Sequence, residues 1–192
     1  MNGAKKLHIW LVRHARAGGN RLHILNGSRR DVPLTAKGRK DGARLAREWK
    51  FKPDVLLTSP MKRTFQTAKY FEEKFGMKAR KFDLIKEHDL GDWTGKSAAK
   101  LKHKYPDYFF DYENGRKSHF LKKVPGGESW EDTKKRAGKA MREIKRKYKG
   151  KKVVAISHGI FSVACINLIA KIKPPKLWNY RLKNCEWVEF VL

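Results

Sequence analysis

Three short stretches carry side chains suited to phosphate chemistry: Arg13-His14, Ser59 to Arg63, and Ser157-His158-Gly159. Between them they supply two imidazoles and two guanidiniums. A neutral imidazole is a nucleophile and proton carrier near neutral pH, and a guanidinium presents a planar fork that holds two oxygens of one anion. Each residue alone has an ordinary reading, a satisfied core histidine or a surface ion pair. What sets them apart is placement, since each stretch follows a short apolar run. The other histidines, including His103 and His119, are scattered, and no metal-ligand spacing appears.

Those runs are the elements that must position the chemistry. Leu7 to Val12, Val55 to Ser59 and Val153 to Ser157 read as buried strands. Thr35 is the expected N-cap of a helix with Ala43, Ala46 and Trp49 on one face, ending before Pro53. Ser59-Pro60 opens a second helix, with Phe65, Ala68, Phe71 and Phe75 at three- and four-residue spacing. Ser129 and Asp132 resemble a capping box, and Ala137, Met141, Ile144 and Tyr148 continue that helix to Gly150. An almost wholly apolar helix follows Gly159, and a last strand covers roughly residues 186–191. From residue 78 to 127 the pattern weakens to a strand at Lys81 to Ile85, a Gly/Asp/Trp loop and an aromatic stretch holding Tyr105, Tyr108, Phe109, Phe110 and Tyr112. Residues 78–127 are therefore the expected cap insertion, in a single domain covering 1–192. Alternating strands and helices predict an α/β fold, a three-layer α/β/α sandwich with a mainly parallel sheet, whose ligands sit beyond the strand C-terminal ends. That edge is where all three stretches would meet.

Composition narrows the partners. The 192 residues include 46 Lys+Arg against 19 Asp+Glu, a formal charge of +27, while 40% hydrophobic content suffices for a folded core. Such a field draws in anions of every kind and says nothing of fold. Charge is densest from Lys134 to Lys152, where a solvated helix face is the expected reading. Two cysteines, Cys165 and Cys185, make neither a disulfide framework nor a CxxC pair, so a reducing cytoplasm is expected. The longest charge-free apolar stretch, Gly159 to Ala170, is too short to span a bilayer, and no membrane partner is expected.

The ordered series Leu11-Val12-Arg13-His14, Asn20, Pro33-Leu34-Thr35 with Gly38, Ser59-Pro60 with Arg63 and Thr67-Ala68, Glu87 with Gly91, Trp93 and Gly95, Pro125 to Ser129, and Ser157-His158-Gly159 resembles the histidine phosphatase superfamily, which includes the cofactor-dependent phosphoglycerate mutases. The pieces run in order over nearly the whole chain. The resemblance implies that His14 is the phosphoryl acceptor, held in one tautomer by a backbone carbonyl, and that Arg13, Arg63 and His158 neutralise the phosphoryl oxygens. It implies Glu87 as proton donor and acceptor, with Asp89 as the competing carboxyl. Neither metal nor other cofactor is implied. Asn20, Arg16, Arg21 and Gly159 are candidate substrate contacts; Arg16 and Arg21 either hold a second acidic group or belong to the general basic surface. Ala15 stands where the family has glycine, and another small residue still lets the chain pass close to the phosphate.

The expected activity is hydrolysis of a phosphorylated small molecule, multiply anionic by the charge argument. A phosphoglycerate mutase is the alternative, disfavoured because relatives of that type are longer and carry a C-terminal tail that excludes water. A second alternative is a basic nucleic-acid-binding module with a relict pocket, for which no recognition motif is present. The aromatic stretch is expected to pack in the cap rather than stack on bases.

Overall fold

The structure, a computed structural model, describes residues 5–18, 24–105, 123–172 and 176–192. Among them five strands form one sheet: β1 (His8–Arg13), β2 (Val55–Thr58), β3 (Arg80–Lys81), β4 (Lys152–Ser157) and β5 (Trp187–Val191), in the order β3-β2-β4-β1-β5. All neighbours pair in parallel except β5, which runs antiparallel to β1. The central strands β1 and β4 are apolar on both faces, as a sheet covered by helices on each side requires.

Helices α1 (Ala36–Glu48) and α2 (Lys62–Phe75) cover one face, where Ala46, Trp49, Ala68 and Phe71 pack on Trp10, Val12, Leu56, Val154 and Ile156. On the other face α4 (Trp130–Lys147) and α5 (Gly159–Ala170) bring Ala137, Met141, Ile144, Phe161 and Cys165 onto Ile9, Leu11, Val153 and Ala155. The caps are those expected. Thr35 Oγ1 accepts from the Gly38 amide, and Ser129 with Asp132 makes a reciprocal capping box. The short helix α3 (Ala98–Lys104) joins Leu90, Trp93 and Val124 in a separate cluster through Leu101.

Three expectations need correction. The second helix begins at Lys62 rather than at Ser59-Pro60, because residues 59–61 form the turn off β2. Its buried face is Thr64, Thr67, Ala68 and Phe71, which leaves Phe65 41% exposed, so the phenylalanine spacing overstated the core stripe. The strand expected at Lys81 to Ile85 shrinks to Arg80–Lys81, and Asp83–Ile85 is a 3-10 turn that seals Ile85 in the core. The basic stretch does turn most of its charge to solvent. Lys135, Lys139, Arg142 and Arg146 are exposed, at spacings that place them on one side of α4, and Lys149 is exposed in the turn beyond its end. Arg136, in the same run, does not follow them. Of the aromatic stretch, Tyr105 stacks on Trp93 at 5.5 Å between ring centroids, and Tyr108, Phe109, Phe110 and Tyr112 lie outside the described residues.

Candidate active site

Parallel register does the assembling. Arg13 pairs with Ser157 across β1 and β4, so the next residues, His14 and His158, leave the sheet side by side with ring centroids 5.2 Å apart. Thr58 pairs with Ile156 on the opposite side of β4, which carries Ser59 to the same edge. His158 Nε2 lies 2.9 Å from Ser59 Oγ. Arg63, in the first turn of α2, is 2% exposed, and its Nη1 and Nη2 donate to the carbonyls of Arg30 (3.1 Å) and Gly27 (2.8 Å).

His14 is held in one tautomer. Its Nδ1 lies 2.7 Å from the Ala15 carbonyl, and a carbonyl oxygen only accepts, so Nδ1 carries the proton and Nε2 keeps its lone pair. The backbone on either side is fixed too. The His14 amide donates to the Ser157 carbonyl, the Asn184 side chain donates to the His14 carbonyl, and the Ala15 amide donates to Thr67 Oγ1. Burial lowers the pKa of His14 well below the ordinary histidine value, and the charges of Arg63 and then Arg13 add to it. His158 is lowered well below that value for the same reasons, burial first and Arg63 next.

This has a consequence for stability against pH. The unfolded chain protonates both histidines near about 6.5 and the folded chain does not, so the unfolded state binds more protons as pH falls below that value. Stability should therefore be complete above about pH 6.5 and decline on acidification, with the two histidines together contributing up to about 3 kcal/mol per pH unit until their folded values are reached. Urea unfolding at several pH values between neutrality and pH 5 tests this. Saturating inorganic phosphate should flatten the decline by countering the arginines' repulsion; an unchanged midpoint between pH 7 and 5 without phosphate would contradict the assigned environment.

Arg13 runs beneath the start of α5. Its Nη1 donates to the Leu182 carbonyl at 2.7 Å, and a Cβ on Gly159 would stand 3.3 Å from its Nε and Cζ. Glycine at 159 thus admits the guanidinium; a role in touching substrate is not what its geometry requires. Burial and then the neighbouring Arg181 lower the Arg13 pKa, while Glu87 opposes them, which puts Arg181 within electrostatic reach of the site. Two buried nitrogens here, Arg13 Nε and His158 Nδ1, find no hydrogen-bond partner among the described residues. An unmet buried polar atom costs about 1–3 kcal/mol, and a pair of them beside a nucleophile suits an anion that would engage both.

Glu87 reaches the same place from the segment after β3. One carboxylate oxygen accepts from the amides of His88 (3.0 Å) and Phe161 (3.1 Å), the other from that of Ile160 (3.4 Å), so the acid sits at the N-terminus of α5 beside Arg13. Asp89 is engaged elsewhere. Its oxygens hold the Arg29 guanidinium at 2.8 Å and the Gly91 amide at 2.9 Å. Gly91 adopts φ +48 and a Cβ there would lie 2.1 Å from the Pro125 carbonyl, so only glycine lets the two loops cross.

The structure therefore brings together His14, Arg13, Arg63, His158 and Glu87. Arg16 has an exposed side chain, with its carbonyl accepting from the Thr35 amide; Asn20 and Arg21 lie outside the described residues. The sequence reading missed Leu182 and Asn184, which brace Arg13 and His14, and assigned no role to Thr67; the first two contacts are backbone or amide contacts from 169 and 170 residues away with no local signal. Among the described residues no group of three or more His, Cys, Asp or Glu side chains could hold a metal ion, and no helix is long and apolar enough to cross a membrane.

Comparison with known proteins agrees with this geometry. The chain is 30% identical over 179 residues to phosphoserine phosphatase 1 of Hydrogenobacter thermophilus, covering 92% of this chain and 82% of that one. It is 27% identical to the uncharacterized phosphatase PhoE of Bacillus subtilis, covering 94% and 89%. YhfR of Bacillus stearothermophilus shares the fold with a TM-score of 0.84 at 24% identity, covering 95% of this chain and 90% of that one. The mycobacterial glucosyl-3-phosphoglycerate phosphatase follows at 0.76 and 22%, covering 95% and 88%. Residues 9–192 match the sequence model of the Histidine phosphatase superfamily (branch 1). With two histidines and two arginines converging at one sheet edge and the family pattern running through to the last residue, the chain belongs to the histidine phosphatase superfamily, branch 1.

Proposed function

We propose that the protein hydrolyses phosphomonoesters through a phosphohistidine on His14. The observation that carries this reading is the His14 imidazole, buried, uncharged and fixed by the Ala15 carbonyl with Nε2 left as the nucleophile. Arg13, Arg63 and His158 hold the phosphoryl oxygens, and the unpartnered Arg13 Nε supplies a donor for them beside the unpartnered His158 Nδ1. Nε2 attacks phosphorus, the ester P–O bond breaks, and Glu87 gives its proton to the leaving alkoxide. In the second half, water attacks the phosphohistidine, the P–N bond breaks and the Glu87 carboxylate takes the water's proton. Inorganic phosphate leaves and the starting protonation is restored.

The substrate we favour is a small phosphate monoester carrying a further acidic group. The formal +27 charge, Arg181 near Arg13 and the names of similar proteins, phosphoserine and glucosyl-3-phosphoglycerate phosphatases, support it. Arg16 and Arg21, which follow His14 in the sequence, are the proposed contacts for that second group, with Asn20 as a further proposed substrate contact. Residues 78–127 are the proposed cap of a single 1–192 domain, supported by the separate cluster of Leu90, Trp93, Leu101 and Val124. The free Cys165 and Cys185 support a reducing compartment, the cytoplasm.

Other relatives, 25% identical, are named probable phosphoglycerate mutase GpmB, so the test must separate hydrolysis from transfer. Rapid quench of enzyme with labelled phosphoserine should trap an acid-labile, base-stable phosphoryl-enzyme, followed by release of inorganic phosphate. Conversion of 3-phosphoglycerate to 2-phosphoglycerate with bisphosphoglycerate and without phosphate release would overturn hydrolysis in favour of a mutase.

A further inference from the structure

Arg136 is the member of the basic run that turns inward, its side chain 17% exposed. From the second turn of α4 its guanidinium makes a two-point pair with Glu128, Nε to Oε1 and Nη2 to Oε2, each 2.8 Å. Its Nη1 also donates to the carbonyls of Leu84 (3.0 Å) and Lys86 (2.7 Å), and Nη2 to that of Glu87 (3.3 Å). One side chain thus ties three carbonyls of the four-residue stretch that ends at the proposed acid. The paired carboxylate takes the far side, with Glu128 Oε2 accepting from the Asp89 amide at 2.9 Å. The segment carrying Glu87 is gripped before and after that residue by one ion pair.

The same guanidinium lies over the Phe161 ring, 5.4 Å from its centroid, and the Phe161 amide is one of the donors to the Glu87 carboxylate. Arg136 therefore touches both things that set where the carboxyl group stands, the backbone from which it projects and the residue whose amide receives it. We propose that Arg136, with Glu128, is the positioning device for Glu87: it holds the carboxyl within reach of the leaving oxygen and takes no part in binding the phosphoryl group. Arginine is required because a single-point ammonium cannot meet a carboxylate edge-on and three carbonyls together. The proposal rests on the reading of Glu87 as proton donor, and the experiment separates the two.

kcat/KM reports the steps up to departure of the leaving group, so leaving-group dependence isolates proton donation. p-Nitrophenolate leaves without a proton and an alkoxide does not. In Arg136→Met, kcat/KM on phosphoserine should fall roughly 100-fold, the size of effect a misplacement of about 1 Å produces. On p-nitrophenyl phosphate it should stay within about threefold, and inhibition by inorganic phosphate should not move. Arg136→Lys should recover less than half of the loss on a logarithmic scale. Glu128→Gln, which keeps an acceptor for the Asp89 amide, should show the same leaving-group contrast in a milder form and serves if Arg136→Met does not fold. Equal falls on both substrates together with weaker phosphate inhibition would overturn the proposal and leave Arg136 a support of the fold. If Glu87→Gln itself shows no contrast between the two substrates, it is the acid assignment that fails.

Discussion

His14→Ala is expected to lower turnover of a phosphomonoester by at least about 10⁴-fold and to abolish the trapped phosphoryl-enzyme. The imidazole is the covalent acceptor in the proposed reaction, because the Ala15 carbonyl holds its proton on Nδ1 and Nε2 keeps its lone pair beside two arginines. The loss should be chemical rather than structural. The backbone of residue 14 keeps its bonds to the Ser157 carbonyl and the Asn184 side chain whatever the side chain is, so circular dichroism and inorganic phosphate binding should persist. The variant should also lose one histidine's share of the acid-induced decline in stability, because the buried, hard-to-protonate imidazole is the source of that share. Turnover within tenfold of the parent would sink the phosphohistidine mechanism.

Arg63→Met should lower kcat/KM by about 10³-fold, in the range found when a donor to developing phosphoryl or oxyanion charge is removed. Two effects combine here. The charge facing the phosphoryl oxygens disappears, and the buried guanidinium that spans the Gly27 and Arg30 carbonyls no longer ties that loop to α2. The second effect costs about 1–3 kcal/mol of stability for the carbonyls left without a donor, which thermal unfolding measures independently of activity. Arg63→Lys should recover less than tenfold, since an ammonium cannot reach both carbonyls and still present N–H groups to the substrate. A loss below tenfold with phosphate inhibition unchanged would make Arg63 a loop tie only.

Both variants touch residues that the sequence singled out, whereas Arg136 is one it passed over, and the difference has a physical basis. Arg13, His14 and His158 announce themselves because they stand at or just past the end of a run of buried strand residues, and Arg63 because it lies in the short stretch that follows another; the short parallel strand is among the plainest hydrophobic patterns a chain can show. Glu87 needed the family resemblance, since the chain between Lys78 and Gly127 lacks a regular period. The same resemblance favoured it over Asp89, and Asp89 is occupied by Arg29 and by the Gly91 amide. Arg136 sits in a run whose composition says only that most of it faces water. Its position on α4 lies between the core side of Ala137 and Ile144 and the exposed side of Lys139 and Arg146, and helix phase does not decide which way a long side chain turns at such a boundary.

By itself, then, the sequence determined the α/β class, the succession of strands and helices along the chain apart from the short α3, both capped helix starts and the residue types gathered at one end of the sheet. These are properties of burial period and of capping, which are written within a few residues of where they act. The tertiary structure alone decided the strand order and the pairing of Arg13 with Ser157, which sets the imidazoles 5.2 Å apart. It also decided that β5 turns antiparallel and brings Leu182 and Asn184 against Arg13 and His14, and that Arg136 closes on Glu87. Those contacts end on backbone carbonyls, and a carbonyl is the same group at every residue, so nothing in the local pattern marks which ones a distant side chain will hold.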